Sequence, residues 1–110
     1  AVLRGGTGGT TGQALTYFNA LRTRAFGNTS ANVGSINLDL ILDERGRELH
    51  WEGFRRTDLV RYGRYTSGTY LWPFKGGVLS GRNVEEFRNI FPLPETDVIA
   101  NTNLVQNPGY

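Results

Sequence analysis

One stretch constrains this chain more than any other: Asn37 to Gly63, NLDLILDERGRELHWEGFRRTDLVRYG. It opens with an apolar stripe at helical spacing, runs through dense acids and bases, and breaks at Gly53. Six of the chain's 10 acidic residues and its single histidine lie here. Asn37 suits an N-cap, since its side-chain oxygen can accept from the unpaired amides of the first turn. Ile36 and Ile41 sit at the two positions of a hydrophobic staple, and Asp39 puts negative charge where the helix dipole favours it. Leu38, Ile41, Leu42 and Leu49 repeat as a buried stripe. Asp43 and Arg47 are spaced as a favourable surface pair, while Glu44 and Glu48 oppose each other. Gly46 in mid-helix costs about 1 kcal/mol relative to alanine, which predicts a neighbouring segment packed close against it. Gly53 is a left-handed stop. Residues 55–62 resume as two helical turns with Leu59 and Val60 inward, closed by Gly63.

The charges around Gly53 form the first candidate constellation. Glu44, Arg45, Arg47, Glu48, Glu52, Arg55, Arg56 and Asp58 are expected to make a partly buried structural ion-pair network that holds the bend. Loss of one partner from such a network costs about 3–5 kcal/mol, because the other charge stays buried and unpaired. Eleven of the 12 basic residues are arginine, which suits fixed bidentate pairing better than a solvated lysine surface. A net charge of +2 with no basic cluster interleaved with aromatics argues against nucleic acid. With no cysteine, disulfides and thiolate zinc sites are excluded. No run of about 18 apolar residues is present to span a membrane. At 110 residues and 38% hydrophobic content the chain makes at most one domain.

Along the rest of the chain, residues 1–12 read as a flexible glycine–threonine loop. A phosphate-cradling role fails, because Gln13 follows Gly12 where a P-loop needs Lys then Ser or Thr. Residues 13–26 form an amphipathic helix with Ala14, Tyr17, Phe18, Leu21 and Ala25 on its apolar face. Thr10 or Thr11 caps its start, and Gly27 or Asn28 ends it. Residues 28–35 are a polar connector. Residues 65–81, YTSGTYLWPFKGGVLSG, have no sustained period and read as a long ordered loop of the kind that serves function or is held by neighbours. Its aromatics Tyr65, Tyr70, Trp72 and Phe74 offer flat faces that stack on sugar rings; Tyr70 and Trp72 are the ligand-binding candidates, against the alternative that they pack the loop onto the helices. Residues 82–89 make a brief helical turn or an exposed excursion. Ile90 to Pro94 is a stretched connector, Pro94 opens a short helix to about Ala100, and Asn107-Pro108-Gly109 marks a turn.

Catalysis finds little support. Glu44, Glu48, Glu52 and Asp58 could supply the carboxylate pair of a glycosidase, yet each has an arginine three or four residues away, the opposite of what a general acid needs. His50 lies two residues from both Glu48 and Glu52, a spacing that points their side chains apart and fits no helical metal motif. No serine sits in G-x-S-x-G. The chain therefore reads as non-catalytic, without cofactor or metal.

Several separated blocks then occur in a recognisable order: ERGRELHWEGFRRTDLVRYG, YLWPFKGG, the FPLP connector, and a closing NTNLVQNPGY, preceded by the helix TYFNALRTRA. Together they resemble the C-terminal region of the SusD/RagB family, outer-membrane lipoproteins of Bacteroidetes that capture glycans and other nutrients in polysaccharide utilisation. The likeness runs from about Ala14 to Tyr110, with Thr102 where proline is usual. It implies a mainly α fold: a few helices with long ordered loops, the last part of a helical, tetratricopeptide-related protein. It further implies an oligosaccharide ligand, a SusC-type TonB-dependent transporter as partner, and a place on the extracellular face of the outer membrane through a lipid anchor absent from these residues. No family ligand contact falls on a matching position. A chain parted from the N-terminal region of its parent is expected to bury its uncovered helix faces by self-association, or to be marginally stable. The alternatives are a purely structural interaction module and a glycoside hydrolase fragment.

Overall fold

The computed structural model describes residues 1–6 and 10–110. Among them all regular structure is helical, in keeping with the mainly α expectation. Two compact units divide the chain, Ala1–Arg55 and Arg56–Tyr110. The glycine–threonine loop expected over residues 1–12 falls partly on residues 7–9, outside the described residues; next to it, Val2–Arg4 makes a 3-10 turn.

In the N-terminal unit, helix α1 (Thr11–Phe26) begins two residues before the expected start. The reason is a reciprocal cap: Gln13 N–H donates to Thr10 Oγ1 at 3.1 Å, and Thr10 N–H donates to Gln13 Oε1 at 3.3 Å, which satisfies two amides at once. Gly27, at φ 69°, ends it. Its inward face differs from the apolar stripe. Phe18 is buried, but Tyr17 is 69% exposed, Leu21 is 41% exposed and Ala25 is exposed as well. Asn19 and Arg22 turn inward instead. The Asn19 amide takes both backbone groups of Val33, each at 2.9 Å, and Arg22 Nε donates to the Ala31 carbonyl. The polar connector is thus fastened to a polar face of the helix, which no count of apolar residues detects.

Helix α2 (Leu38–Glu48) starts as expected, with Leu40 N–H donating to Asn37 Oδ1 at 2.7 Å. Leu42, 1% exposed, is its main core residue. The helix stops at Glu48, before the expected end at Gly53, because Trp51 already adopts the left-handed region at φ 67°. Gly53 follows at φ 78°, and the double reversal brings Arg55 back over the helix. There Arg55 Nη1 donates to the Leu42 carbonyl at 2.7 Å. A β-carbon at position 46 would lie 2.8 Å from that same nitrogen. The close neighbour expected at Gly46 is therefore the Arg55 guanidinium.

Helix α3 (Arg55–Arg61) leads into the C-terminal unit, whose buried centre is Leu59 beside the 2%-exposed Asp58. Gly63, at φ 65°, turns the chain so that the amides of Arg64 and Tyr65 both donate to the Leu59 carbonyl. A long loop with a 3-10 turn at Lys75–Gly77 follows, then a second at Glu86–Asn89 and helix α4 (Glu95–Ala100). Pro94 stands just before α4, with Glu95 and Asp97 in the first turn where the dipole favours them. The last residues are stapled back onto residues 87–93. Gln106 takes both backbone groups of Leu93 at 2.8 and 2.9 Å, Asn107 Nδ2 donates to the Phe91 carbonyl at 2.7 Å, and the Tyr110 hydroxyl donates to the Ile90 carbonyl at 2.8 Å. The Tyr110 ring meets Phe87 edge-on at 4.8 Å. Gly109, at φ 93°, fits beneath: a β-carbon there would lie 2.4 Å from the Phe87 ring.

Two outcomes test this packing. Gly46→Ala should be close to neutral alone, because the gain in helix propensity is spent displacing Arg55; in an Arg55→Ala background it should stabilise by about 1 kcal/mol. Urea melts of the four proteins measure that coupling. Gly109→Ala, which meets both ring and backbone strain, should destabilise by about 2 kcal/mol and abolish the Phe87–Tyr110 contacts in NMR spectra.

Candidate functional site

The expected charge network resolves into local groups. In the N-terminal unit Glu44, buried within α2, accepts from Arg22 Nη1 and Arg47 Nη2, both at 2.7 Å on Oε2. Glu48 accepts from Arg24. Arg22 and Arg24 come from α1, so these acids join two helices; Arg47 pairs with Glu44, three residues away, and not with Asp43 as the spacing suggested. Asp43 lies 4.0 Å from Arg55, whose side chain is 38% exposed. Arg45 is half-buried and engaged, while Glu52 is exposed on the turn. Within the C-terminal unit Asp58 is 3.8 Å from Arg61. Arg56 donates to the Arg88 carbonyl at 2.7 Å and lies over the rings of Phe91 and Tyr65, at 3.7 and 4.9 Å. His50 is exposed and contacts Trp51 edge-on. Among the described residues no three His, Cys, Asp or Glu side chains gather as metal ligands, and no helix is long and apolar enough to cross a membrane.

The side chain that organises the aromatic loop is Lys75, the one lysine of the chain. It is 3% exposed. Its Nζ donates to the carbonyls of Arg64, Ser67 and Tyr70 and lies 4.7 Å from the Trp72 ring centre. Three ammonium hydrogens meet three carbonyls, so a loop without regular structure has its inward acceptors satisfied. Burial pushes the Lys75 ammonium below its ordinary value of 10.5. Gly81 completes the wrap: a β-carbon there would lie 2.5 Å from the Trp72 carbonyl oxygen.

Around this anchor the loop encloses a concavity of about 350 Å³, lined by Tyr65, Trp72, Lys75, Gly76, Arg82, Val84, Glu85 and Arg88. Tyr65 and Trp72 stack with ring centres 6.4 Å apart and planes 28° apart. Of the two ligand candidates, Trp72 is on this wall. Tyr70 leans on Trp72 at 6.4 Å and gives its carbonyl to Lys75. Phe74 is exposed, with φ 67°. Arg88 Nε donates to Glu85 Oε2 at 2.7 Å; that bond holds the Glu85 carboxyl below its usual range and raises the arginine above its own. Sequence reasoning missed Lys75, Arg82 and Arg88. The only available signal was Lys75 itself, a lone lysine among arginines inside an aromatic loop.

The SusD family model matches residues 5–110. The chain belongs to the SusD family. It is 41% identical over 99 residues to the starch-binding protein SusD of Bacteroides thetaiotaomicron, an alignment that takes in 90% of this chain. The chain spans 18% of the length of that relative. In this SusD-family chain the blocks that carried the resemblance are those that build α1, the end of α2, α3, the Lys75 loop and the stapled C-terminal residues.

The loop anchor has a direct test. Lys75→Met keeps the apolar stem but leaves three inward carbonyls without donors, and should destabilise by about 2–3 kcal/mol. Amide exchange in residues 64–70 should accelerate far more than exchange in α1 and α2; uniform acceleration would refute a local anchor.

Proposed function

We propose that this chain forms the C-terminal part of a non-catalytic, glycan-binding SusD-family protein on the outer face of the outer membrane. The whole protein captures oligosaccharide and passes it to a SusC-type TonB-dependent transporter. The observation that carries this reading is the 41% identity, over 90% of the chain, to a relative whose name records starch binding. The chemistry of the residues is consistent with it. Glu44 is held by Arg22 of α1 and Arg47 of its own helix, and Glu48 by Arg24 of α1, whereas a glycosidase needs one carboxyl kept protonated for proton transfer. Aromatic rings gathered on one concave wall suit the apolar faces of sugars.

A second reading, a structural module, is favoured by one feature of the N-terminal unit. A hollow of about 140 Å³ between α1 and α2 is lined by Phe18, Leu21, Ile41 and Leu49, and Leu21 is 41% exposed. Exposed apolar surface of this kind marks a contact face, either for the remainder of the parent protein or for a second copy. Calorimetric titration of malto-oligosaccharides and a wider glycan panel separates the readings. The parent protein should bind at least one glycan and release no reducing sugar. Binding by the parent alone assigns this chain to scaffold. Sugar cleavage, or silence across the panel, overturns the proposal.

A further inference from the structure

The wall of the concavity carries more positive charge than a neutral sugar requires. Arg82 is held in place twice: its backbone N–H donates to the Lys75 carbonyl at 3.1 Å, and its Nε donates to the Gly76 carbonyl at 2.9 Å. A β-carbon at Gly76 would lie 2.7 Å from Arg82 Cγ, so the stem of the arginine packs flat on the glycine. Its two outer nitrogens make no hydrogen bond among the described residues. Arg88 is likewise held, with Nε fixed by Glu85 and its guanidinium carbon 5.0 Å from the Phe87 ring centre. One carboxylate, Glu85, therefore faces two guanidiniums whose outer edges are uncommitted. An oriented guanidinium edge matches a carboxylate or sulfate bidentately. A cation also lies over each ring of the stacked pair, Arg56 at Tyr65 and Lys75 at Trp72. The volume, about 350 Å³, lies at the lower end of the roughly 300–1,000 Å³ typical of small-ligand sites.

We propose that this concavity binds an acidic residue of a glycan, a sugar ring bearing a carboxylate or a sulfate. Tyr65 and Trp72 meet the ring, and the outer nitrogens of Arg82 and Arg88 take the anion. The proposal rests on the glycan-binding reading above and adds a ligand class to it. Neither Tyr65 nor Trp72 selects an anion alone, and neither arginine selects a sugar; the selectivity comes from their sharing one wall.

Calorimetry on the 110-residue chain and on its parent decides it, with four probes: a galacturonic acid trisaccharide, a sulfated disaccharide, maltotriose and sodium sulfate. At low ionic strength one of the acidic saccharides should bind about tenfold or more tightly than maltotriose, a difference of about 1.4 kcal/mol. Raised salt should weaken that preference. Arg82→Gln should reduce that preference to about twofold or less, with the circular dichroism unchanged. Arg88→Gln provides the same reading should Arg82→Gln unfold the loop. Equal affinity for acidic and neutral saccharides overturns the proposal and leaves the glycan-binding function standing. Sodium sulfate binding as tightly as the acidic saccharides also overturns it, since the rings would then contribute nothing. Failure of every saccharide with the parent overturns the glycan reading itself, and this proposal with it.

Discussion

Everything in this chain depends on side chains that satisfy backbone groups far from them in sequence. Among the described residues the buried apolar side chains are few: Phe18, Leu42 and Leu59. Long stretches between helices have no ladder to pair with, and an inward-facing carbonyl or amide without a partner costs as much as a lost hydrogen bond. Asn19 and Gln106 solve this in the same way, each offering an amide that takes both backbone groups of one distant residue, Val33 and Leu93. Arg22, Arg55, Arg56, Lys75, Asn107 and Tyr110 serve carbonyls singly or several at a time. Among the described residues no buried side-chain nitrogen or oxygen lacks a partner.

This scheme explains the bias toward arginine. A guanidinium has donors pointing in several directions, so one residue can meet a carbonyl, a carboxylate and a ring face together. Arg22 bonds the Ala31 carbonyl and Glu44, and lies 5.9 and 5.5 Å from the Phe18 and Phe26 rings. Arg56 does the same for the Arg88 carbonyl, Tyr65 and Phe91. The exception is instructive. At position 75 three carbonyls converge on one point, and a compact ammonium with three donors fits where a planar fork does not. The concavity proposed for acidic glycans is a consequence of that anchor, since the loop that Lys75 holds carries its aromatic wall.

Parts of this were legible in advance because they depend on neighbours in sequence. Asn37 as a cap, Gly53 and Gly63 as left-handed turns, the short helix after Pro94 and the close approach at Gly46 all follow from local sterics and unpaired terminal amides. The two-residue error at the start of α1 is also local, for the Thr10–Gln13 exchange was present in the letters. Other features were hidden. The inward face of α1 is partly polar: Phe18 of the apolar stripe is buried, but Tyr17 is exposed while Asn19 and Arg22 turn inward. Partners three or four residues apart were the natural reading of the acids at 43–48, and Arg47 does meet Glu44, yet Glu44 and Glu48 also reach α1, more than twenty residues away.

The sequence by itself determined which segments are helical, where the chain must reverse, and to which family its ordered blocks belong, because those properties are set by residues in contact along the chain. Only the tertiary structure decided which charges meet, that Lys75 is buried beneath three carbonyls, and that Arg82 and Arg88 share a wall with Tyr65 and Trp72. Those arrangements depend on where loops without a repeat come to rest. That position is chosen by the satisfaction of polar groups distant in sequence, which no periodicity records.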